Sequence, residues 1–469
     1  MRRCSLLGLA IILQGILLGC HRNDVIATSV PCQGPLDCLP QEKCVDGECR
    51  PRGQDAGVRL DSGPEDFCSG EGPLILVGDS RGTKRTCSGG IAETTFRYAM
   101  CTCDAYATST SLVTDSFDSS RAPYVPGGKA GSVGVNGAFT VNGTVDVGGS
   151  LWVGSPLGIF TAAGPLSVKG ELHDNGVLRG AEVTVDHHAW VAGDIDVASL
   201  AVGGTLTLPE EKSLVVRGER NIQDLLREPV SVPPPCACSP EDLVDISAYV
   251  EAHRQQNDNA TIPLSKDALS SFSGKTTLRL PCGRFFLEKI EGSGELTLEI
   301  TGRTALFVGG TIHLEDAFHV TVEKGAELDL FVSGIIESSA EMILGSPDRP
   351  AKLRLYVGSS ESINLSANAQ LAGNLYAPLA RLAISGGAEI YGSVFVRSFA
   401  NSAPVTIHYD ESVLRAGDKC PDPEVPTCKT CLDCRNQACH GGTCGQCKDS
   451  SECCSPLVCL RGACVPQIE

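Results

Sequence analysis

Several features are missing from this 469-residue sequence, and each absence narrows the fold or the function. No helix-length apolar period separates its short apolar stretches, which excludes a strand–helix–strand architecture. Nor is there the eightfold strand–helix alternation of a barrel enzyme. Aromatic residues make up only 5%, against 52 glycines, a balance that suits tight coils of short strands. Basic charge is short: 38 Lys and Arg face 56 Asp and Glu, for a formal charge of −18. With no basic patch, nucleic acid and anionic lipid are excluded as partners, and the acidity reads as a solvated surface. Nucleophile elbow, P-loop and dinucleotide loop are all absent, so no catalytic residue is named.

What the sequence does contain is repetition. An aliphatic residue, an aromatic and an aliphatic or small residue stand together five times: Leu306-Phe307-Val308, Leu330-Phe331-Val332, Leu355-Tyr356-Val357, Leu375-Tyr376-Ala377 and Val394-Phe395-Val396. The aromatics are 24, 25, 20 and 19 residues apart, about one coil of a solenoid. Alternation extends around each triplet, as in Leu328-Asp329-Leu330-Phe331-Val332, so Leu and Val point inward while Phe and Tyr share the outer face with Asp329 and Arg354. On this reading Leu330→Asp breaks the fold and Asp329→Ser is tolerated. The outward Phe307, Phe331, Tyr356, Tyr376 and Phe395 form either a binding ladder for a sugar or partner, or a strip covered by another segment.

An earlier stretch repeats by six. Val133, Phe139, Val145 and Leu151 hold one position, Val135, Val141, Val147 and Val153 the next inward one, with Asn-Gly and Gly-Gly corners. Three sides of six residues make a coil, and the stretch resembles bactofilin-type polymer-forming β-helices. Pro233-Pro234-Pro235-Cys236-Ala237-Cys238 interrupts the pattern. Ser239, Pro240, Glu241 and Asp242 then give the start signals of one helix whose Leu243, Ile246, Val250 and His253 share a face. Such a helix is expected to cap a solenoid end or cover its flank.

The fold expected is all-β: a right-handed parallel β-helix (β-solenoid) with one capping helix and small disulfide-rich terminal modules. Its divisions are a leader at 1–19; a tether, Cys-rich module and linker at 20–66; a first solenoid region at 67–230; the Pro-rich break and helix at 231–274; a second solenoid region at 275–416; and a Cys-rich module at 417–469.

Both ends carry signals of export. Arg2-Arg3, the apolar run Leu6 to Leu18 and Leu17-Leu18-Gly19-Cys20 resemble the signal and lipobox of bacterial lipoproteins, which implies lipidation at Cys20. His21 follows in place of an aspartate, so an outer-membrane location is expected, facing the periplasm or the cell surface. Of 24 cysteines, Cys4 lies in the leader and Cys20 carries the lipid; the other 22, in an exported chain, are expected in disulfides. Cys32, Cys38, Cys44 and Cys49 form one module. Cys68, Cys87, Cys101, Cys103, Cys236, Cys238 and Cys282 occupy the middle. Cys420, Cys428, Cys431, Cys434, Cys439, Cys444, Cys447, Cys453, Cys454, Cys459 and Cys464 end the chain. Because the last two groups are odd in number, a bond between them is expected, with Cys420 the candidate to reach the middle group. The Cys428-x2-Cys431-x2-Cys434 spacing with His440 leaves zinc as the alternative to disulfides there. Both modules resemble dickkopf-like or knottin-like cysteine modules. No cofactor or metal is expected.

Ser116-Phe117-Asp118-Ser119, Gly373–Pro378 (GNLYAP), Gly386–Phe399 (GGAEIYGSVFVRSF) and Ile407–Val413 (IHYDESV) resemble a β-helical domain of unknown function found in Gram-negative, myxobacterial-type lipoproteins and in proteins related to pilus assembly. The resemblance covers roughly Cys68 to Leu414. It implies a β-helical surface protein and supplies no catalytic residues. The function expected is a non-enzymatic surface lipoprotein with a structural, adhesive or assembly role, whose partners are the membrane through its lipid and possible surface polysaccharide or envelope proteins. The alternatives are a carbohydrate-binding β-helix using the outward aromatics and a β-helix enzyme acting on polysaccharide, with Glu315, Asp316, Asp329 and Glu337 as raw material.

Overall fold

The structure is a computed structural model that describes residues 95–240, 242–365 and 369–416, with short pieces at 42–45, 48–51, 67–68, 77–78, 85–86, 92, 438–440, 443–445, 447–453, 457–460 and 463–466. It divides into two compact units, residues 1–60 and 61–469. In the first, Glu42–Val45 and Glu48–Pro51 form an antiparallel hairpin that sets Cys44 opposite Cys49. The second unit is a β-solenoid of about thirteen turns, its strands paired in parallel with the coils before and after. Three to six residues of alternating type make each side, and small or polar corners turn the chain.

Three faces run the length of the rod. The first carries Gly283–Leu287, Arg303–Val308, Glu327–Val332 and Leu353–Val357 in successive coils. Strict register puts Phe286, Phe307, Phe331, Tyr356, Tyr376 and Phe395 in one outward column. Inside, Leu330 stacks between Leu306 and Leu355, and Val332 between Val308 and Val357, all at most 1% exposed. Each such burial contributes roughly 1.5–3 kcal/mol. Asp174 is an exception among these inward positions. It occupies the column of Val153 and Val191, donates nothing, and accepts one bond from Gly176 N–H at 3.0 Å. Burial pushes its pKa up to about 8.

The two solenoid regions form one continuous stack, in the reverse of chain order. Val394–Asn401 pairs with Met100–Thr102 and Tyr106–Thr108, and Val405–Asp410 pairs with Leu112–Phe117. The C-terminal half therefore comes first along the rod. Its last coil continues into the first coil of the N-terminal half, and the rod ends at Arg220–Leu226. The first-face column passes through this seam as Phe395, Cys101, Gly134, Trp152, His173 and Trp190.

Because the chain leaves one end of the rod at Leu226 and re-enters at the other at Thr276, residues 227–275 must run back along its flank. They form a strap over the first face. Val232 N–H donates to Asn175, Cys236 exchanges two bonds with Asn136, Val244 N–H donates to the Tyr376 hydroxyl, and Asn259 brackets Phe286 with two bonds. Gly134 has no side chain where Pro235 and Cys236 cross the column; a Cβ there would meet both within 3.3 Å. The strap helix is Ile246–His253, with Asp245 as its N-cap accepting from Ala248 N–H. It starts later than the Ser239-Pro240 signal predicts. Ser239 instead closes a turn with Asp242 and Leu243, and Val244 N–H is committed to Tyr376 across the rod. Ile246, Val250 and His253 do share the buried face, and the helix covers the flank.

Candidate functional site

The five aromatics of the expected ladder are 0–2% exposed. Tyr249 of the helix meets Phe307 and Phe331 edge-on, and His253 stacks on Phe307 at 3.9 Å. As a binding ladder the strip is closed: Phe307, Phe331, Tyr356, Tyr376 and Phe395 form the floor under the strap. Two coils beyond the seam the column surfaces again as Trp152, His173 and Trp190. These stack ring on ring at 3.5 and 4.5 Å, so both faces of His173 and one face of each indole are occupied.

Four of the middle cysteines hold the strap to the rod. Cys236 bonds Cys101 and Cys238 bonds Cys103, while Cys68 bonds Cys282. The two Cys-x-Cys pairs thus lie side by side across the seam coil. Six of the seven middle cysteines pair with each other, and Cys87 and Cys420 lie outside the described residues, as do Cys20, Cys32, Cys38, Cys428, Cys431, Cys434 and Cys454. In the C-terminal module Cys439 stands opposite Cys444 in a hairpin, Cys447 bonds Cys459 and Cys453 bonds Cys464. The sulfurs of Cys447, Cys453 and Cys464 lie within 4.8 Å of one another, but each is spent in a cystine and is no thiolate ligand.

The four carboxylates singled out from sequence do not meet. Asp329 lies on the covered first face, 5% exposed, and both its oxygens hold Arg354 at 2.6 and 2.7 Å. Asp329 is outward from the coil, as the alternation places it, but the outer side of that face is itself interior, so the geometry does not support the expected tolerance of Asp329→Ser. Glu337 sits on a different strand, Ile336–Ser338, bonded to His313 at 3.0 Å. Glu315 and Asp316 occupy an exposed corner.

Two motifs far apart in sequence converge at the seam. Asp410 is fully buried and accepts from Ser119 N–H (2.9 Å) and hydroxyl (2.6 Å), Ser412 N–H (3.1 Å) and hydroxyl (2.8 Å), and Ala351 N–H (3.1 Å). Five donors on one carboxylate make it a latch, with no lone pair left for chemistry. Beside it, Asp115 holds both His408 Nδ1 and the Tyr124 hydroxyl at 2.7 Å, and the His408, Tyr124 and Tyr391 rings form a mutually contacting cluster. This is half of a hydrolase triad in composition only: among the described residues no hydroxyl or thiol hydrogen-bonds to His408.

Next to Tyr391 lies a groove of about 420 Å³, lined by Glu341, Ile343, Pro347, Ala369, Gln370, Gly387, Glu389 and Tyr391. Ile343, Gln370 and Glu389 are outward neighbours in three successive coils. Small residues at Ala369 and Gly387 leave the space, and the 346–350 loop walls it through Pro347. Tyr391 donates to Glu389 at 3.2 Å, and His319 Nε2 lies 3.2 Å from Glu341. Desolvation and the neighbouring Glu389 raise the Tyr391 pKa, which keeps the phenol a donor. The Gly386–Phe399 motif contains Glu389 and Tyr391, and alternation alone marks both as outward. Their meeting with Gln370 and Glu341 depends on coil register, which has no local signature.

These features define a β-solenoid protein whose first face is sealed by its own disulfide-held strap. A family described as Domain of unknown function (DUF7305) matches residues 237–415, from the second half of the strap to the end of the seam latch. No curated protein and no solved structure matches the chain.

Proposed function

We propose that the chain is an exported, non-enzymatic envelope protein, lipid-anchored through Cys20 in the outer membrane, with a structural, adhesive or surface-assembly role. The observation that carries this reading is the strap tied by Cys101–Cys236 and Cys103–Cys238. Cystines persist in oxidising compartments, and these two clamp the return strap to the seam, which makes a stack of coils into a rod resistant to unzipping. The polar clusters agree with it, since Asp410 and the Asp329–Arg354 pair are consumed in holding the rod together. A polysaccharide-cleaving enzyme gains no support from carboxylates that sit on separate faces. The test is metabolic labelling with palmitate followed by fractionation: the native chain takes label and partitions with the outer membrane, and Cys20→Ser does neither. Unchanged membrane association of Cys20→Ser, or turnover of pectin, peptidoglycan or exopolysaccharide by the purified protein, would overturn the reading.

A further inference from the structure

We propose that the groove beside Tyr391 is a glycan-binding subsite that takes a neutral, hydroxyl-rich sugar unit. The proposal deepens the adhesive reading above and rests on it for its biological sense. The groove's volume, about 420 Å³, falls in the range of small-ligand sites, and its lining is mainly polar, through Glu341, Gln370, Glu389 and Tyr391, with a smaller apolar share. Ile343, Pro347 and the Tyr391 ring supply apolar surface for the carbon side of a pyranose. Gln370 offers both a donor and an acceptor, and Glu341 and Glu389 offer oriented acceptors for vicinal hydroxyls.

The charge and bonding of the lining decide between ligand classes. Among the described residues no lysine or arginine lines the groove, so a phosphate, sulfate or uronate would meet two carboxylates without compensation. A simple cation is disfavoured for a different reason: Glu389 already receives the Tyr391 hydroxyl and Glu341 lies against His319. Each carboxylate therefore has a fixed orientation and spare lone pairs, the state that suits a hydroxyl donor. Because Ile343, Gln370 and Glu389 succeed one another along the rod, with neighbouring strands about 4.8 Å apart, the polar groups are spaced along the direction in which a linear glycan would lie.

The test is calorimetric titration of the purified full chain with cellohexaose, maltohexaose and hexa-N-acetylchitohexaose, with 1,5-diaminopentane as the cationic comparison. At least one oligosaccharide is expected to bind with little dependence on salt. Glu389→Ala and Gln370→Ala should each weaken it about tenfold, and Gln370→Trp, which fills the groove, should abolish it, with the thermal midpoint unchanged in all three. Absence of binding by all three sugars up to about 10 mM, binding unaltered in these variants, or tighter and salt-screened binding of the diamine would each overturn the proposal. The measurement needs no membrane anchor, so its failure is distinguishable from failure of the envelope reading.

Discussion

Arg354 is 2% exposed, and the carboxylates of Asp329 and Glu327 together with the Ala351 carbonyl surround its guanidinium. A buried pair of this kind costs little if both members are replaced together and a great deal if one is removed, because the survivor is left charged and unsolvated. Asp329→Ser is therefore expected to destabilise the protein by about 3–5 kcal/mol, and the double change Asp329→Ser/Arg354→Leu to recover most of that loss. Denaturant unfolding of the two variants checks it; equal stability of Asp329→Ser and the native chain would mean that Glu327 alone neutralises Arg354. The alternation of Leu328 to Val332 correctly divided inward from outward side chains. It could not show that a second layer lies outside the outward ones, since the residues supplying that layer are remote in sequence.

The strap helix shows the same limit at the scale of an element. Its buried face is readable from Ile246, Val250 and His253, because 3.6-residue periodicity is local. Where it starts and what it covers depend on Tyr376 and Phe307, more than fifty residues downstream. His253 makes this packing sensitive to pH. Burial pulls its pKa down to about 4, only partly opposed by its hydrogen bond to the Tyr249 carbonyl, with Arg284 and Asp258 the charged groups nearest in influence. In the unfolded chain an imidazole titrates near 6.5, so between about 6.5 and 4 the unfolded state binds more protons than the folded one. The contribution of His253 is thus complete above pH 6.5 and declines as pH falls toward 4, by up to about 3 kcal/mol. Hydrogen-exchange protection across residues 244–260, taken relative to the intrinsic rate at each pH, is expected to fall below about pH 5, and His253→Phe, which keeps the stacking on Phe307, should remove that loss. An acid response that persists in His253→Phe would assign it to other groups.

At the scale of the whole molecule, the repeats announced a solenoid, while the order of its halves along the rod had no signal in the sequence. That order is set by the pairing of Val394–Asp410 strands with Met100–Phe117 strands, across nearly three hundred residues of chain, and it forces residues 227–275 to run the length of the rod. One consequence is directly measurable. Glu228 and Pro229 are exposed at the start of the strap, upstream of Cys236 and Cys238. A site-specific protease sequence inserted between Glu228 and Pro229 should therefore be cleavable in the folded protein. The two fragments would remain joined by Cys101–Cys236, Cys103–Cys238 and Cys68–Cys282, every one of which links a residue before the cut to one after it. Cut protein should migrate as a single full-length band under denaturing, non-reducing conditions and as two bands once reduced. If the strap did not return along the seam, each half would close its own cysteines and the fragments would part without reductant. Native gel filtration of cut and reduced protein adds the second half of the argument. The seam strands, the Asp410 latch and the strap helix are non-covalent, so the halves should still co-elute after reduction and separate only when denaturant breaks the parallel pairing.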